Sequence, residues 1–237
     1  MTVPLRVLCA SLPLDDHVGM GRIGKHSLGG LLVSVALLAG AVLAGVVLGR
    51  GRSGIVFAHG RGGDLCEWLP SARRFARQGY RVLAFDFAGS GDSRPGSGPD
   101  ARIDMDVVAA AGQLRRLGAE KVVLVGSSMG ATAVLAAATR IRPPVSGVVS
   151  LSGPGAFGAV SAWRVMPRLR VPVLFVAAAD DEPFAGAARA MHRRAGAADK
   201  RLLIVRHGHG ATMLAYREEG PKVTAAVRRF IMTRAPS

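Results

Sequence analysis

The sequence predicts an α/β fold: a mostly parallel sheet with helices on both faces, preceded by one N-terminal hydrophobic helix. Three observations lead there. Short continuous apolar runs alternate with helical patterns of 10 to 15 residues from position 53 onward, which is the signature of strands buried on both faces. A 21-residue stretch at 28–48 carries Ser34 as its single polar side chain. Finally, Gly126-Ser127-Ser128-Met129-Gly130 sits between the apolar run 122–125 and a helical pattern over 131–140.

In order along the chain, residues 1–27 show no usable period and are expected to form a disordered tail. Residues 28–48 are long enough, at about 1.5 Å per residue, to cross about 30 Å of hydrocarbon. They are read as a transmembrane or signal-anchor helix, which makes the expected location a single-pass membrane one. The alternative is secretion after signal-peptide cleavage, with Met20 as the start and a peptidase acting at Ala39-Gly40-Ala41 or Ala44-Gly45. Arg22 and Lys25 precede the stretch and Arg50 and Arg52 follow it, so charge leaves the orientation open.

The domain then occupies 53–237. Strands are expected at 55–58, 81–85, 122–125, 145–151, 171–177 and 201–205. Helices are expected at 68–78, 103–117, 131–140 and 184–195, with a closing helical stretch at 212–232 broken near Gly220-Pro221. A Gly/Ser/Pro/Asp-rich loop runs to Pro99.

Composition narrows the function classes. The formal charge is +15, with 27 Arg and 4 Lys, and the Arg pairs on helix faces read as solvated surface. Aromatic residues make up 5% of the chain, too few for stacking on bases, so no nucleic-acid partner is expected. Cys9 precedes the hydrophobic segment, so a bridge from it to Cys66 is not expected.

Chemistry concentrates at the C-terminal strand ends, where a parallel sheet collects it. Ser128 follows the strand 122–125, Asp180-Asp181 follows 171–177, and His207-Gly208-His209-Gly210 follows 201–205. A serine hydroxyl needs a base to accept its proton, and that base needs a carboxylate to fix its tautomer. Ser127 is read as structural, because Ser128 alone is central between Gly126 and Gly130.

These residues, with Ala58-His59-Gly60-Arg61-Gly62-Gly63, the segment Gly79 to Asp86 and Gly89-Ser90-Gly91-Asp92-Ser93, make the chain resemble the α/β-hydrolase superfamily over residues 53–232. Its order of Ser, Asp and His is the family's order. The resemblance is to lidless, dienelactone-hydrolase-like serine hydrolases, because 19 residues between Leu151 and Val171 leave no room for a lid. It implies a catalytic triad of Ser128, Asp181 and His209, with Asp180 the alternative acid and whichever is unused capping the helix from Pro183. It also implies an oxyanion hole from the backbone N–H groups of Met129 and Arg61. His59 is expected to be a turn residue, and Asp86 to tie down the loop at 89–93. A triad of this kind uses neither metal nor cofactor, so none is expected. The implied activity is cleavage of a small ester or thioester through an acyl-enzyme; the alternative is an inactive binding protein on the same scaffold. One departure stands out: the family has two further strands before the His59-Gly60 turn. Here the sheet is either truncated, or partly built from residues 31–48.

Overall fold

The computed structural model describes residues 31–36, 42–95 and 102–237, and for 31–36 the backbone alone. In chain order the elements are β1 (Leu31–Ala36), β2 (Val42–Leu48), β3 (Ser53–Ala58), α1 (Leu69–Arg77), β4 (Arg81–Phe85), α2 (Ile103–Arg116), β5 (Lys121–Ser127) and α3 (Met129–Ala138). There follow β6 (Gly147–Leu151), β7 (Ala156–Phe157), β8 (Val160–Ser161), α4 (Ala162–Val165), β9 (Val173–Ala178), α5 (Phe184–Arg194), β10 (Lys200–Val205) and α6 (Gly220–Arg234). Short 3-10 helices at Leu65–Trp68, Met166–Arg168 and Gly210–Leu214 connect them. Eight strands form one sheet in the order β1-β2-β4-β3-β5-β6-β9-β10. From β4 to β10 every pairing is parallel, and β2 is antiparallel to both its neighbours.

Among the described residues the expected N-terminal hydrophobic helix is absent. Residues 31–36 and 42–48 are two strands paired antiparallel, with Leu31 opposite Val47 and Ala36 opposite Val42. Among the described residues no helix is long and apolar enough to cross a membrane, which overturns the transmembrane reading and the single-pass location. A cut at Ala44-Gly45 would fall inside β2, whose residues 43–48 are buried. The physical reason is that an unbroken apolar run suits a strand covered on both faces as well as a membrane span, and period alone does not separate them. Valine-rich halves of strand length favour the sheet. At Gly45 a Cβ would come within 3.0 Å of the Ala84 carbonyl and the Leu83 side chain. The sheet is therefore not shortened: β1 and β2 are two further strands ahead of β3, which leads into the His59-Gly60 turn. The tail expected over 1–27, the rest of the span at 28–30 and 37–41, and the loop at 96–101 lie outside the described residues. Cys9, on which the expectation about a bridge to Cys66 rests, also lies outside them.

Both sheet faces are covered. On one, the 3-10 helix Leu65–Trp68, α1 and α6 bury Trp68, Phe75, Val223, Val227 and Phe230 against Ile55, Phe57, Val123 and Val149. On the other, α2, α3 and α5 pack Leu114, Leu135 and Met191 against Val56, Leu124 and Phe175. The alternation of cores along each strand follows from its period of two. No lid is inserted between β6 and β9; the hairpin of β7 and β8 and the single turn α4 fill that space.

The loop after β4 is tied from three sides. Asp86 accepts the N–H groups of Leu65 and Asp92 at 2.7 and 3.0 Å, as expected for a loop anchor. Ser93 donates to the Asp86 carbonyl at 2.6 Å and accepts from Ala44 N–H at 2.8 Å, joining the loop to β2. Asp106 on α2 accepts Ala88 N–H at 3.0 Å.

Burial pushes the Asp106 carboxyl up to about 6, against the pull of the Ala88 hydrogen bond and with a further push from Asp104. The unfolded chain binds this proton only below about 3.8, so between about pH 4 and about pH 6 the native state holds more protons. Stability from this group is therefore greatest in acid and falls as pH rises through that window. Asp106→Asn keeps an acceptor for Ala88 and removes the buried charge. Its melting temperature is expected to exceed wild type by a few degrees at neutral pH, with the difference shrinking toward pH 4. A constant difference across the window contradicts the assignment.

Candidate active site

β5 ends at Ser127 and α3 begins at Met129, so the chain turns from strand to helix on Ser128 alone. Ser128 has φ 50° and ψ −113°, a region a serine enters only when its surroundings impose it. The flanking glycines are sterically required. A Cβ on Gly126 would run into the Gly130 carbonyl, and one on Gly130 would lie 2.6 Å from the His59 carbonyl and closer still to that of Ala58. Gly130→Ala is expected to cost about 3 kcal/mol of stability, because backbone rather than a movable side chain blocks the methyl. A urea midpoint equal to wild type would contradict it.

Asp181 and His209 meet at the neighbouring strand ends. His209 Nδ1 lies 2.9 Å from each Asp181 carboxylate oxygen. The Asp181 side chain is 12% exposed and that of His209 41%, so the acid is covered while the imidazole reaches solvent. A hydrogen on Nδ1 bound to the carboxylate leaves Nε2 as the basic nitrogen. The Phe184 ring packs edge-on against the imidazole with centroids 4.5 Å apart. Thr212 accepts His209 N–H at 3.2 Å and donates to its carbonyl at 2.7 Å, fixing the loop backbone.

Ser127 has the structural part expected of it. Its hydroxyl accepts Ala211 N–H at 3.0 Å, stitching the end of β5 to the histidine loop. Gly210, at φ 56°, lies so close that a Cβ there would strike Ser127 Oγ and stand 3.7 Å from Ser128 N. The elbow and the histidine loop are thus in direct contact. Neither Ser128 Oγ nor His209 Nε2 has a hydrogen-bond partner among the described residues.

The acidic pair divides differently from expectation. Asp180 does not cap α5: that helix has no side-chain cap. Its carboxylate instead pairs with His207 Nδ1 at 2.6 Å, both side chains being about half exposed. Two Asp–His pairs therefore stand side by side, Asp180 with His207 and Asp181 with His209.

The turn after β3 faces the elbow. A Cβ on Gly60 would lie 3.6 Å from Ser128 Cβ. His59 is fully buried, donates from Nδ1 to the Gly60 carbonyl at 2.7 Å and accepts Phe87 N–H on Nε2 at 3.1 Å. Both nitrogens are engaged, so His59 shapes the turn. Arg61 N–H has no acceptor among the described residues, and Met129, first in α3, has no intrahelical acceptor for its own. Among the described residues no group of three or more His, Cys, Asp or Glu is placed to hold a metal ion.

Sequence reasoning missed two residues. Glu67 accepts Gly60 N–H at 3.1 Å and steadies the turn. Its signal was the Asp64-Leu65-Cys66-Glu67 spacing of a capping box, in which Asp64 does cap at Cys66 N–H but Glu67 reaches past to Gly60. Phe184, the wall of the imidazole, carries no sequence signal at all.

Comparison with known proteins agrees with this architecture. A 2-hydroxy-6-oxononadienedioate/2-hydroxy-6-oxononatrienedioate hydrolase of Pseudomonas putida is 35% identical over 130 residues, 54% of this chain and 45% of that protein. A 2-hydroxy-6-oxo-6-phenylhexa-2,4-dienoate hydrolase of Burkholderia cepacia is 33% identical over 130 residues, 54% and 44% of the two chains. The match thus spans less than half the length of these relatives. Among solved structures, an esterase of Pyrococcus furiosus superposes with a TM-score of 0.73 at 15% identity, over 93% of this chain and 100% of that one. A dienelactone hydrolase of Anabaena variabilis superposes with a TM-score of 0.68 at 21% identity, over 89% and 100%. The family described as alpha/beta hydrolase fold matches residues 55–222. With the strand order, the elbow and this match together, the chain belongs to the alpha/beta hydrolase fold family.

Proposed function

We propose that this protein is a serine hydrolase that cleaves a small ester or thioester through a covalent acyl-enzyme. The observation that carries the reading is the strained Ser128 turn beside the Asp181–His209 pair. Ser128 Oγ attacks the substrate carbonyl while His209 Nε2 takes its proton; Asp181 orients the ring and stabilises the imidazolium. The tetrahedral oxyanion is held by the N–H groups of Met129 and Arg61, each such donor being worth about 3 kcal/mol of barrier. As the carbonyl re-forms, the bond to the leaving group breaks and His209 returns the proton to it. Water, deprotonated by His209, then attacks the acyl-serine, and the acid departs as Ser128 Oγ recovers its proton.

The absence of a lid between β6 and β9 suits small, soluble acyl groups. The Pseudomonas and Burkholderia relatives are named as hydrolases of 2-hydroxy-6-oxo dienoic acids. Those compounds therefore belong in the test panel beside short esters, thioesters and lactones. Turnover of the dienoates without esters or thioesters would replace the ester reading with carbon–carbon bond hydrolysis by the same serine. A folded protein that neither turns over any of them nor reacts with a fluorophosphonate would instead be a binding protein on this scaffold.

A further inference from the structure

The turn that carries Arg61 is soft in itself and held from outside. Gly60, Gly62 and Gly63 leave its backbone wide conformational freedom. Gly62 stands at φ 74° with nothing within 4 Å of where a Cβ would be. Three hydrogen bonds hold Gly60. Its carbonyl accepts His59 Nδ1–H at 2.7 Å and Gly63 N–H at 3.2 Å, and its N–H donates to Glu67 Oε2 at 3.1 Å. The Gly60–Arg61 peptide is trans, so the direction of the Gly60 carbonyl sets that of Arg61 N–H, which points the opposite way in the same plane. Gly60 also abuts the elbow: a Cβ on it would lie 3.6 Å from both Ser127 Oγ and Ser128 Cβ.

Glu67 sits on a rigid mount. The 3-10 helix Leu65–Trp68 is pinned by the Asp86 carboxylate at Leu65 N–H, 2.7 Å, and by the Asp64 carboxylate at Cys66 N–H, 2.8 Å. Trp68 adds a buried stack on Phe57 of β3, with centroids 4.7 Å apart. The bond to Gly60 is the one hydrogen bond of the Glu67 carboxylate among the described residues, and its other oxygen, Oε1, is buried without a partner. An unpaired buried carboxylate oxygen destabilises the fold, so packing alone is better served by an apolar side chain. A carboxylate retained there, with one oxygen on the turn, calls for a role beyond packing.

We infer that Glu67 is a positioning residue for the oxyanion donor: by fixing Gly60 it aims Arg61 N–H at the substrate oxygen as that oxygen gains charge. The inference rests on the serine hydrolase reading and adds to it a residue outside the triad and the donor pair. Glu67 acts through the turn and touches no substrate. An oxyanion donor works in the transition state, so its misplacement is read in kcat rather than in KM.

Steady-state hydrolysis of p-nitrophenyl acetate by wild type, Glu67→Gln, Glu67→Asp and Glu67→Ala tests this. Glu67→Gln keeps an oxygen at the same reach and is expected to hold kcat within about threefold. Glu67→Asp keeps the charge but draws the oxygen back by one methylene. It and Glu67→Ala are expected to lose about 10- to 100-fold in kcat with KM within about twofold. A trifluoromethyl ketone, whose serine adduct carries the same oxyanion, should bind more weakly by the factor lost in kcat. The pH profile of kcat/KM should keep its shape, because His209 is untouched. If Glu67→Ala does not fold, the contrast between Glu67→Gln and Glu67→Asp decides. Equal rates in those two, a loss carried in KM, an unchanged affinity for the ketone or a shifted pH profile each overturns the inference and leaves the hydrolase reading in place. A wild type that turns over no ester, thioester or dienoate and takes no fluorophosphonate label removes that reading instead, and the inference falls with it.

Discussion

Ser128→Ala is expected to abolish labelling by a fluorophosphonate and to lower p-nitrophenyl acetate turnover by about 10⁴-fold or more. Folding is not expected to suffer. The lost oxygen has no hydrogen-bond partner among the described residues, and the backbone at φ 50° is held by Gly126, Gly130 and the Ser128 N–H bond to Leu151 at 2.8 Å. An unchanged melting temperature with lost labelling therefore assigns the effect to chemistry. Labelling that persists in the variant would place the nucleophile elsewhere and sink the proposed mechanism. Ser127→Ala makes the informative control: it removes the bond to Ala211 N–H, so it should loosen the histidine loop and cost part of the rate while labelling survives.

The twin Asp–His pairs give the second large effect. Both histidines present Nδ1 to a carboxylate, at 2.6 Å for His207 and 2.9 Å for His209, so hydrogen bonding alone does not choose between them. Position does. Gly210, next to His209, abuts Ser127 Oγ and the Ser128 backbone, and Phe184 packs on the His209 ring. The Asp181 carboxylate is also the covered one, at 12% exposure against 52% for Asp180. A solvent-exposed ion pair contributes about 1 kcal/mol or less. His209→Ala and Asp181→Asn are accordingly expected to cost about 10³- to 10⁴-fold in kcat/KM. His207→Ala and Asp180→Asn should stay within a few-fold. Steady-state kinetics on the four variants decides, and equal losses across the two pairs would undo the assignment.

The domain from 53 onward was largely legible because its signals are local. Strand and helix periods, the glycines around Ser128 and the stop at Gly220-Pro221 are each set within a few residues, and α6 does start at Gly220. The meeting of Ser128, Asp181 and His209 at neighbouring strand ends was legible for the same reason, since a parallel sheet brings its C-terminal strand ends to one edge whatever the loops do. The segment 31–48 was misread because its hydropathy is identical for a membrane span and for two inner strands. What separates them is the partner: β2 pairs with β4 through Gly45 opposite Phe85 and Leu48 opposite Val82, contacts that only exist once β4 is in place. Glu67 was hidden by a similar ambiguity, a capping-box glutamate whose acceptor oxygen serves a turn seven residues back.

By itself, then, the amino-acid order determined the layered α/β class, the position of the strained serine and the two acid–histidine candidates, because chain-local sterics and periodicity specify those. Only the tertiary structure decided which aspartate pairs with which histidine, that residues of the apolar N-terminal run join the sheet, and that Glu67 holds the Gly60 turn. Each of these depends on side chains distant in sequence meeting across packed elements, and no local pattern encodes the distance between them.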